Sequence, residues 1–453
     1  MTILAGKKAT SNNKILIGHN EDAPGKFLIR THILKELPIQ NNTTIKFEPS
    51  LQNFTLPNKR AKLFWIEAYT CNENPFVSSF CDSFINSNGV VICSNNCTFS
   101  KEDNPELNNG GIGYAFRHLI AQQAKTAKDA VEIAKHLIQK YGYASSGRSY
   151  AFADKNEIFV MQIVNGKHFV IKRVPDDEVC VIPNHYTIHD FDDADENLIA
   201  YAKLKGWFKS GEFDFAEVYQ AENSKGLSKN TFRHSKALEI LTGRKDWQNA
   251  RKFPFSVKPN KPVDVAVMKK ILRAHNENDN PHLTEPLSVC NAETLQSSIF
   301  ELNNDPRQNT IRLALGRPCE SVYIPIFFGV DDLPEDYKCE NSELALRKHF
   351  NATPEDLNYK NNAWFLNEQA QKVPDKNLLH TRLNSLEERL ERELRFISSQ
   401  IDTLLKANLT DNAIKTMTGS VNSWAVSVRA CLENLTETFK ITDANNFSDN
   451  LSE

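Results

Sequence analysis

The chain has 453 residues, 40% of them hydrophobic and 25% charged, which is enough to bury more than one core and fits a large globular enzyme. Its 54 Lys and Arg against 57 Asp and Glu give a formal net charge of -3, which argues against a nucleic-acid or other polyanion partner. No apolar run approaches the roughly 18 residues that span a bilayer, so no membrane is expected either.

The chain opens as a strand. Met1-Thr2-Ile3-Leu4-Ala5-Gly6 is apolar, and after a turn-rich gap Lys14-Ile15-Leu16-Ile17-Gly18 returns into the polar cluster His19-Asn20-Glu21-Asp22. First residues fray unless a strand ties them down, so the α-amine is expected inside the fold, where chemistry can use it. A free α-amine has a pKa of roughly 7.7–8, close to the optimum of a general base at neutral pH. It can activate a Cys, Ser or Thr on its own residue. On the pattern alone, an ordinary N-terminal strand explains the same residues.

Extended stretches follow at Phe27 to Leu34, Leu63 to Tyr69 and Phe84 to Ser94, and a polar, Asn-rich segment from Gln40 to Lys59 is long enough for a lid or surface excursion. Ala115, Phe116, Leu119 and Ile120, then Ala130, Val131, Ala134, Leu137 and Ile138, recur at helical spacing. Thr126 with Asp129 reads as a capping box and Gly142 as the C-terminal stop. Glu157 to Ile163 and His168 to Val174 flank Asn165-Gly166, which predicts a hairpin with a type I′ turn. Val179 to Ile182 then presents Asn184, and Phe232, Leu238 and Leu241 mark a helix. Toward the end, Leu379, Leu383, Leu386, Leu390, Leu394, Ile397, Ile401 and Leu404 form an apolar stripe, and Ala425 to Leu435 suggests another amphipathic helix.

Several segments together resemble the dipeptidase branch of the N-terminal-nucleophile hydrolases, the bacterial peptidase D group to which the secernins are related. They are Thr2-Ile3-Leu4-Ala5-Gly6-Lys7-Lys8-Ala9, Asn20-Glu21-Asp22, Ile85-Asn86-Ser87-Asn88-Gly89-Val90, Lys125-Thr126-Ala127 through Tyr141-Gly142, Arg173-Val174-Pro175-Asp176-Asp177-Glu178, and Pro183-Asn184-His185. Arg312 to Pro318 and Ser321 to Pro325 match the final strands, so about the first three quarters of the chain are covered. The resemblance implies an α+β fold, the four-layer αββα sandwich, over residues 1–339. A helical extension over 340–441 then packs on the sandwich or on a second copy in a homo-oligomer, and 442–453 is a tail.

One departure bears on the chemistry. Members of the group begin Cys-Thr-Thr-Ile-Leu, and counting back from Gly6 puts that Cys at or just before Met1, whose thioether neither ionises nor attacks a carbonyl. Three explanations stay open: a start replaced by an initiator Met, excision of Met1 to expose Thr2 as an N-terminal nucleophile, or a non-catalytic, secernin-like binding protein. A shift to Thr2 moves the side chain to the opposite sheet face.

The resemblance implies further roles. The Met1 position holds the nucleophile, Asp22 orients the terminal amine, and Asn184 and Asn86 donate to the oxyanion, where a preorganised donor is worth about 3–4 kcal/mol. Arg233 supports the nucleophile. Without the resemblance, Asp22 and Asn86 are equally turn residues and Arg233 a solvated helix charge. His19 stands where many relatives have Arg, which leaves the charge around the nucleophile open.

The expected reaction is hydrolysis of a small peptide or amide substrate, foremost a dipeptide, through an acyl-enzyme. A related amidase acting on acylated amino compounds is the alternative. No metal or organic cofactor is called for. The nine cysteines include no Cys-x-x-Cys pair, and Cys93 and Cys97 lack the neighbours a zinc site needs. Scattered thiols and no visible leader point to the cytoplasm, with export after removal of a leader as the alternative.

Overall fold

The computed structural model describes residues 1–25, 27–46, 53–70, 79–97, 100–101, 106–250, 252–276, 282, 288–340, 342–347 and 359–441. The tail expected over 442–453 lies outside them. The chain divides into two compact units. One comprises Met1–His19, Lys35–Leu63 and Asp82–Asn291; the other comprises Asn20–Leu34, Phe64–Cys81 and Ala292–Glu453.

The first unit has four layers. One antiparallel set runs in the order Ser256–Val257, Val179–Ile182, Thr2–Ala5 and the start of Leu16–Asp22. A second runs Asp193–Ala194, Phe169–Arg173, Ile158–Ile163, Arg148–Ala153, Val91–Asn96 and Ser83–Asn86. The two face each other where Thr2–Ala5 meets Val91–Asn96. Helices Ala115–Gln123 and Ala127–Tyr141 pack on the second set, and Ser228–Thr242 packs on Val179–Ile182 and on helix Val265–Leu272. Alternation decides the faces: on Arg148–Ala153, Tyr150 meets Phe116 of the helix layer with ring centroids 4.9 Å apart, while Ser149 on the other face meets Gln162 at 3.0 Å. Gly18 lies under helix Val265–Leu272, so the strand on that side is close to helical side chains. This is the α+β, αββα layering the sequence implies.

Local signals hold where the chemistry is local. Thr126 caps Ala127–Tyr141 by accepting from the Asp129 N–H at 3.0 Å, and Gly142 ends the helix at φ 76°. The hairpin forms, but its turn is not type I′. That turn needs positive φ at both central residues, and only Gly166 has it, at 96°. Gly166 instead exchanges two backbone hydrogen bonds with Tyr143, at 2.6 and 2.9 Å, which opens the connection to Val164–His168. The segment expected as a lid holds a small antiparallel strand pair, Thr44–Lys46 with Asn53–Thr55, pinned by Phe54, which is wholly buried against Tyr141.

In the second unit, Thr294–Glu301, Thr310–Leu315 and Ile324–Phe327 form an antiparallel set, and Phe27–Leu34 packs against the first of them. Helices Lys376–Lys406 and Thr410–Thr438 turn back on each other through Asn408 at φ 60° and lie on Ile324–Phe327. Leu379, Leu383, Leu386, Leu390, Leu394 and Ile401 of the expected stripe are buried, as are Met417, Val421, Trp424 and Val428 of the helix packed against it. Ile397 and Leu404 are only half-buried. Each fully buried Leu or Ile contributes about 1.5–3 kcal/mol, so the stripe is a large favourable contribution to this packing.

Gly6 marks a point where the backbones of the first unit nearly touch. A Cβ there would stand 2.6 Å from the Pro175 carbonyl oxygen and closer still to that of Asp176, and neither can rotate away. At Gly18 the added Cβ meets only the flexible ends of Leu272 and Met268, at 3.1 and 3.5 Å. Gly6→Ala is therefore expected to cost about 1–3 kcal/mol in urea unfolding, and Gly18→Ala clearly less. Equal losses would show that the 175–176 backbone yields freely.

Candidate active site

The head of the N-terminal strand is inside the protein: Met1 is 2% exposed and Thr2 0%. Thr2 pairs with Ile182 on one side and His19 on the other. Its side chain points between the sheets, where Oγ1 donates to Asn95 Oδ1 at 2.6 Å and lies 2.8 Å from His19 Nδ1. With the hydroxyl hydrogen given to Asn95, the imidazole supplies the other one, so His19 carries a proton at Nδ1. Burial foremost, then the positive charge of the chain terminus, pulls the His19 pKa down to about 3.

A charge cluster adjoins it. Asp82 accepts from Arg117, from Arg148 at 2.7 Å and from the Ser94 hydroxyl. Burial alone would raise its pKa, but the two guanidinium groups outweigh that and hold the carboxyl well below the usual range. Two cations against one anion leave a local excess of positive charge. Cys97, just past Asn95's strand, is a poor nucleophile, because burial pushes its thiol up to about 12.

The strand Val179–Ile182 carries the next group. Since Ile182 pairs with Thr2, Pro183 and Asn184 emerge at the end of the strand where Met1 lies. Asn184 Nδ2 donates to the Asn96 carbonyl at 2.7 Å, and its Oδ1 accepts from Arg233 Nη2 at 2.6 Å. Arg233, 5% exposed on helix Ser228–Thr242, also donates to Asn230 Oδ1 at 2.9 Å, and Asn230 returns a bond to the Asn184 carbonyl at 3.1 Å. Arg233 is thus no solvated helix charge: it fixes the orientation of the Asn184 carboxamide.

Asn86 is not brought to this group. Its Nδ2 donates to the carbonyls of Ala121 and Ala124 at 3.0 and 2.8 Å, and its Oδ1 accepts from the N–H groups of Asn88 and Val90 at 3.0 and 3.1 Å. Every donor and acceptor is used in fastening a turn to a helix end. Asn86 abuts Val90, and Asn95 lies five residues further along that strand, roughly 16 Å at 3.3 Å per residue. Asp22, in the second unit, accepts from the Thr294 hydroxyl at 2.6 Å. Asn95, Asp82, Arg117 and Arg148 were not expected from the sequence. The one available signal was a strand that opens apolar, Val91-Ile92-Cys93, and closes polar, Ser94-Asn95-Asn96.

Residues 1–356 match the sequence model of peptidase family C69. The chain belongs to that family. It is similar to a probable dipeptidase of Latilactobacillus sakei, 23% identical over 381 residues that cover 77% of this chain and 78% of the relative. It is 32% identical over 207 residues to a dipeptidase of Bifidobacterium longum (strain NCC 2705), covering 42% of this chain and 38% of that one. A solved variant of the conjugated bile acid hydrolase from Clostridium perfringens aligns over 73% of this chain and 90% of its own, at 12% identity and a TM-score of 0.36. As a C69 member the protein is a peptide-hydrolysing enzyme that acts on amide bonds. No helix among the described residues is long and apolar enough to cross a membrane.

The neutral His19 has a consequence for stability. In the unfolded chain the ring takes up a proton near 6.5, whereas in the fold it does so only near 3, so between those values the unfolded state binds one proton more. This contribution is complete above pH 6.5 and is lost as pH falls toward 3, at up to about 1.4 kcal/mol per pH unit. His185 and His234, also lowered by burial, add to the same slope. His19→Gln should therefore flatten the acid arm of the stability curve by about one proton, read by urea unfolding between about pH 4 and 6. Unchanged slope in the variant would mean the ring is protonated in the fold.

Proposed function

We propose that the enzyme hydrolyses dipeptides through a nucleophile at the head of strand Thr2–Ala5, on the face that Thr2 presents to Asn95. The observation that supports this most is the convergence there of the buried terminus, the Thr2–His19–Asn95 hydrogen bonds and the Asn184–Arg233 pair. Alternation continued beyond Thr2 turns Met1 to the opposite face and the residue directly ahead of it back to the inner one. We therefore assign the family's cysteine to the position directly ahead of Met1, with Thr2 beneath it as a positioning residue.

In this mechanism the α-amine of the nucleophilic residue takes the thiol proton as the sulfur attacks the peptide carbonyl, then returns it to the leaving amine. Asn184 uses one amide hydrogen on Asn96 and directs the second at the oxyanion, held in place by Arg233. Water, deprotonated by the same amine, releases the acyl group. The positive excess of Arg117, Arg148 and Asp82 favours both thiolate and oxyanion. The dipeptidase relatives support the substrate class, and the scattered cysteines are consistent with action in the cytoplasm. A second reading uses Thr2 itself after loss of Met1, since its hydroxyl is 2.8 Å from His19.

Dipeptide hydrolysis measured on three forms separates these readings. The form with an N-terminal Cys directly ahead of Met1 should be active and be silenced by alkylation, whereas Met1→Cys, facing the other way, should be inactive. Activity only in the form that starts at Thr2, abolished by Thr2→Ala, would transfer the role to Thr2. In the active form Asn184→Ala should lower kcat about 10²–10³-fold with KM little changed. If no form cleaves a dipeptide, the assignment of the nucleophile to this strand fails.

A further inference from the structure

Away from this site, three soft donors of the first unit converge. We propose that His275, His282 and Cys290 bind a divalent transition-metal ion of the zinc class. Their ligand atoms lie within 4.8 Å of one another, and the two imidazole rings are in contact, with centroids 4.9 Å apart. Donors around tetrahedral zinc stand roughly 3.3–3.8 Å apart, given bonds of about 2.0 Å to nitrogen and 2.3 Å to sulfur. The gap is on the order of 1 Å, the scale of a small change in a side-chain torsion.

The backbone is built to hold the donors together. Helix Val265–Leu272 ends just before His275, and the Cys290 N–H donates to the Ala274 carbonyl at 3.1 Å, which sets the thiol's residue beside the imidazole's. A second clamp runs from the Asn276 N–H to the Ser288 hydroxyl at 2.8 Å. In sequence, His282 lies within the span that both clamps enclose. Nε2 of His275 is buried and has no hydrogen-bond partner among the described residues. A buried ring nitrogen without a partner costs free energy, and a metal ion is a partner that suits it. His275 also borders an open cavity of about 720 Å³, which gives an ion a path from solvent.

The donor set selects the ion. Two imidazoles and a thiol disfavour Mg²⁺ and Ca²⁺, which take oxygen ligands, and suit Zn²⁺ and its neighbours. Binding as thiolate releases the Cys290 proton to solvent, with no change of oxidation state. Three protein donors leave one tetrahedral position for water or a further group. The ion would tie His282 to the paired chain ends at Ala274 and Cys290, and no part in amide hydrolysis is assigned to it. Its spacing, His-x₆-His-x₇-Cys, lacks the short ligand pairs by which zinc sites are recognised in a sequence.

The test titrates full-length protein, stripped by a chelator, with Co²⁺ alone. One ion per chain should bind, with near-ultraviolet thiolate-to-cobalt absorption and visible bands of tetrahedral intensity, all displaced by Zn²⁺. Cys290→Ser should remove the charge-transfer band. His282→Ala should weaken binding by more than the roughly 10–100-fold that loss of an outer-shell partner costs. His136→Ala, an exposed histidine on helix Ala127–Tyr141, should change nothing. Absence of the band in wild type, its persistence in Cys290→Ser, or unchanged affinity in His282→Ala overturns the site. Should Cys290→Ser not fold, His282→Ala decides alone.

Discussion

The arrangement at the head of the first strand depends on one hydroxyl. Thr2 Oγ1 gives its hydrogen to Asn95 across the sheet interface and stands 2.8 Å from His19 on the neighbouring strand. Apolar burial cannot set the register of this strand, because Thr2–Ala5 is buried on both faces and a shift by one residue would still bury hydrophobic side chains. The polar contact can. A slip turns Thr2 toward the helices and leaves Asn95 and His19 facing a hydrocarbon, at about 1–3 kcal/mol for each buried group left without its partner. Hydrophobic burial therefore holds the strand in place, while a single hydroxyl decides which residue stands at its end.

The charge around that strand follows from the same contact. His19 meets Thr2 through a protonated Nδ1, and burial keeps the ring as a whole neutral. Where an arginine at this position would bring its own charge, the positive potential here comes from Arg117 and Arg148, each on a different element, with Asp82 between them. An imidazole held neutral can neither attract an anion nor compete with the α-amine for a proton. The arrangement is electrostatic: a neutral hydrogen-bonding group lies beside the terminus, and the two cations lie beyond it around Asp82.

What could be read in the sequence was what neighbouring residues decide. Thr126, Asp129 and Gly142 define their helix from within a span of 17 residues, and the leucines from 379 to 401 show their burial by spacing alone. The turn at Asn165-Gly166 was mistyped because Tyr143, more than 20 residues earlier, takes both of Gly166's backbone groups. The segment from Gln40 to Lys59 read as an excursion because the aromatic partner of Phe54, Tyr141, lies 87 residues away, on a helix. The resemblance alone pointed to Asn184 and Arg233, and no local pattern shows that they pair, because their hydrogen bond spans 49 positions. Asn86 was misread for the complementary reason: an asparagine before a glycine turn looks the same whether its amide is spent on Ala121 and Ala124 or aimed at a substrate.

The second unit repeats the logic of the first with charges in place of a hydroxyl. A leucine stripe lets a helix slide by a turn along its groove at little cost, since leucine replaces leucine at every fourth or third position. On helix Lys376–Lys406, however, Glu387 accepts the buried Tyr323 N–H at 2.8 Å, and Glu391, one turn on, takes Arg312, which also binds Glu301 at 2.9 Å. Burial would by itself lower the pKa of Arg312, and the two carboxylates raise it instead, so the ion stays charged inside the protein. Such buried ions add little net stability, because desolvation offsets most of their attraction, yet breaking one partner away costs about 3–5 kcal/mol. A slide of one turn would either leave Leu383 against the Tyr323 N–H or bring Arg395 against Arg312, so one of the two contacts is lost in each direction. In each unit, then, the apolar contacts supply the free energy of packing and a few buried polar ones select the register.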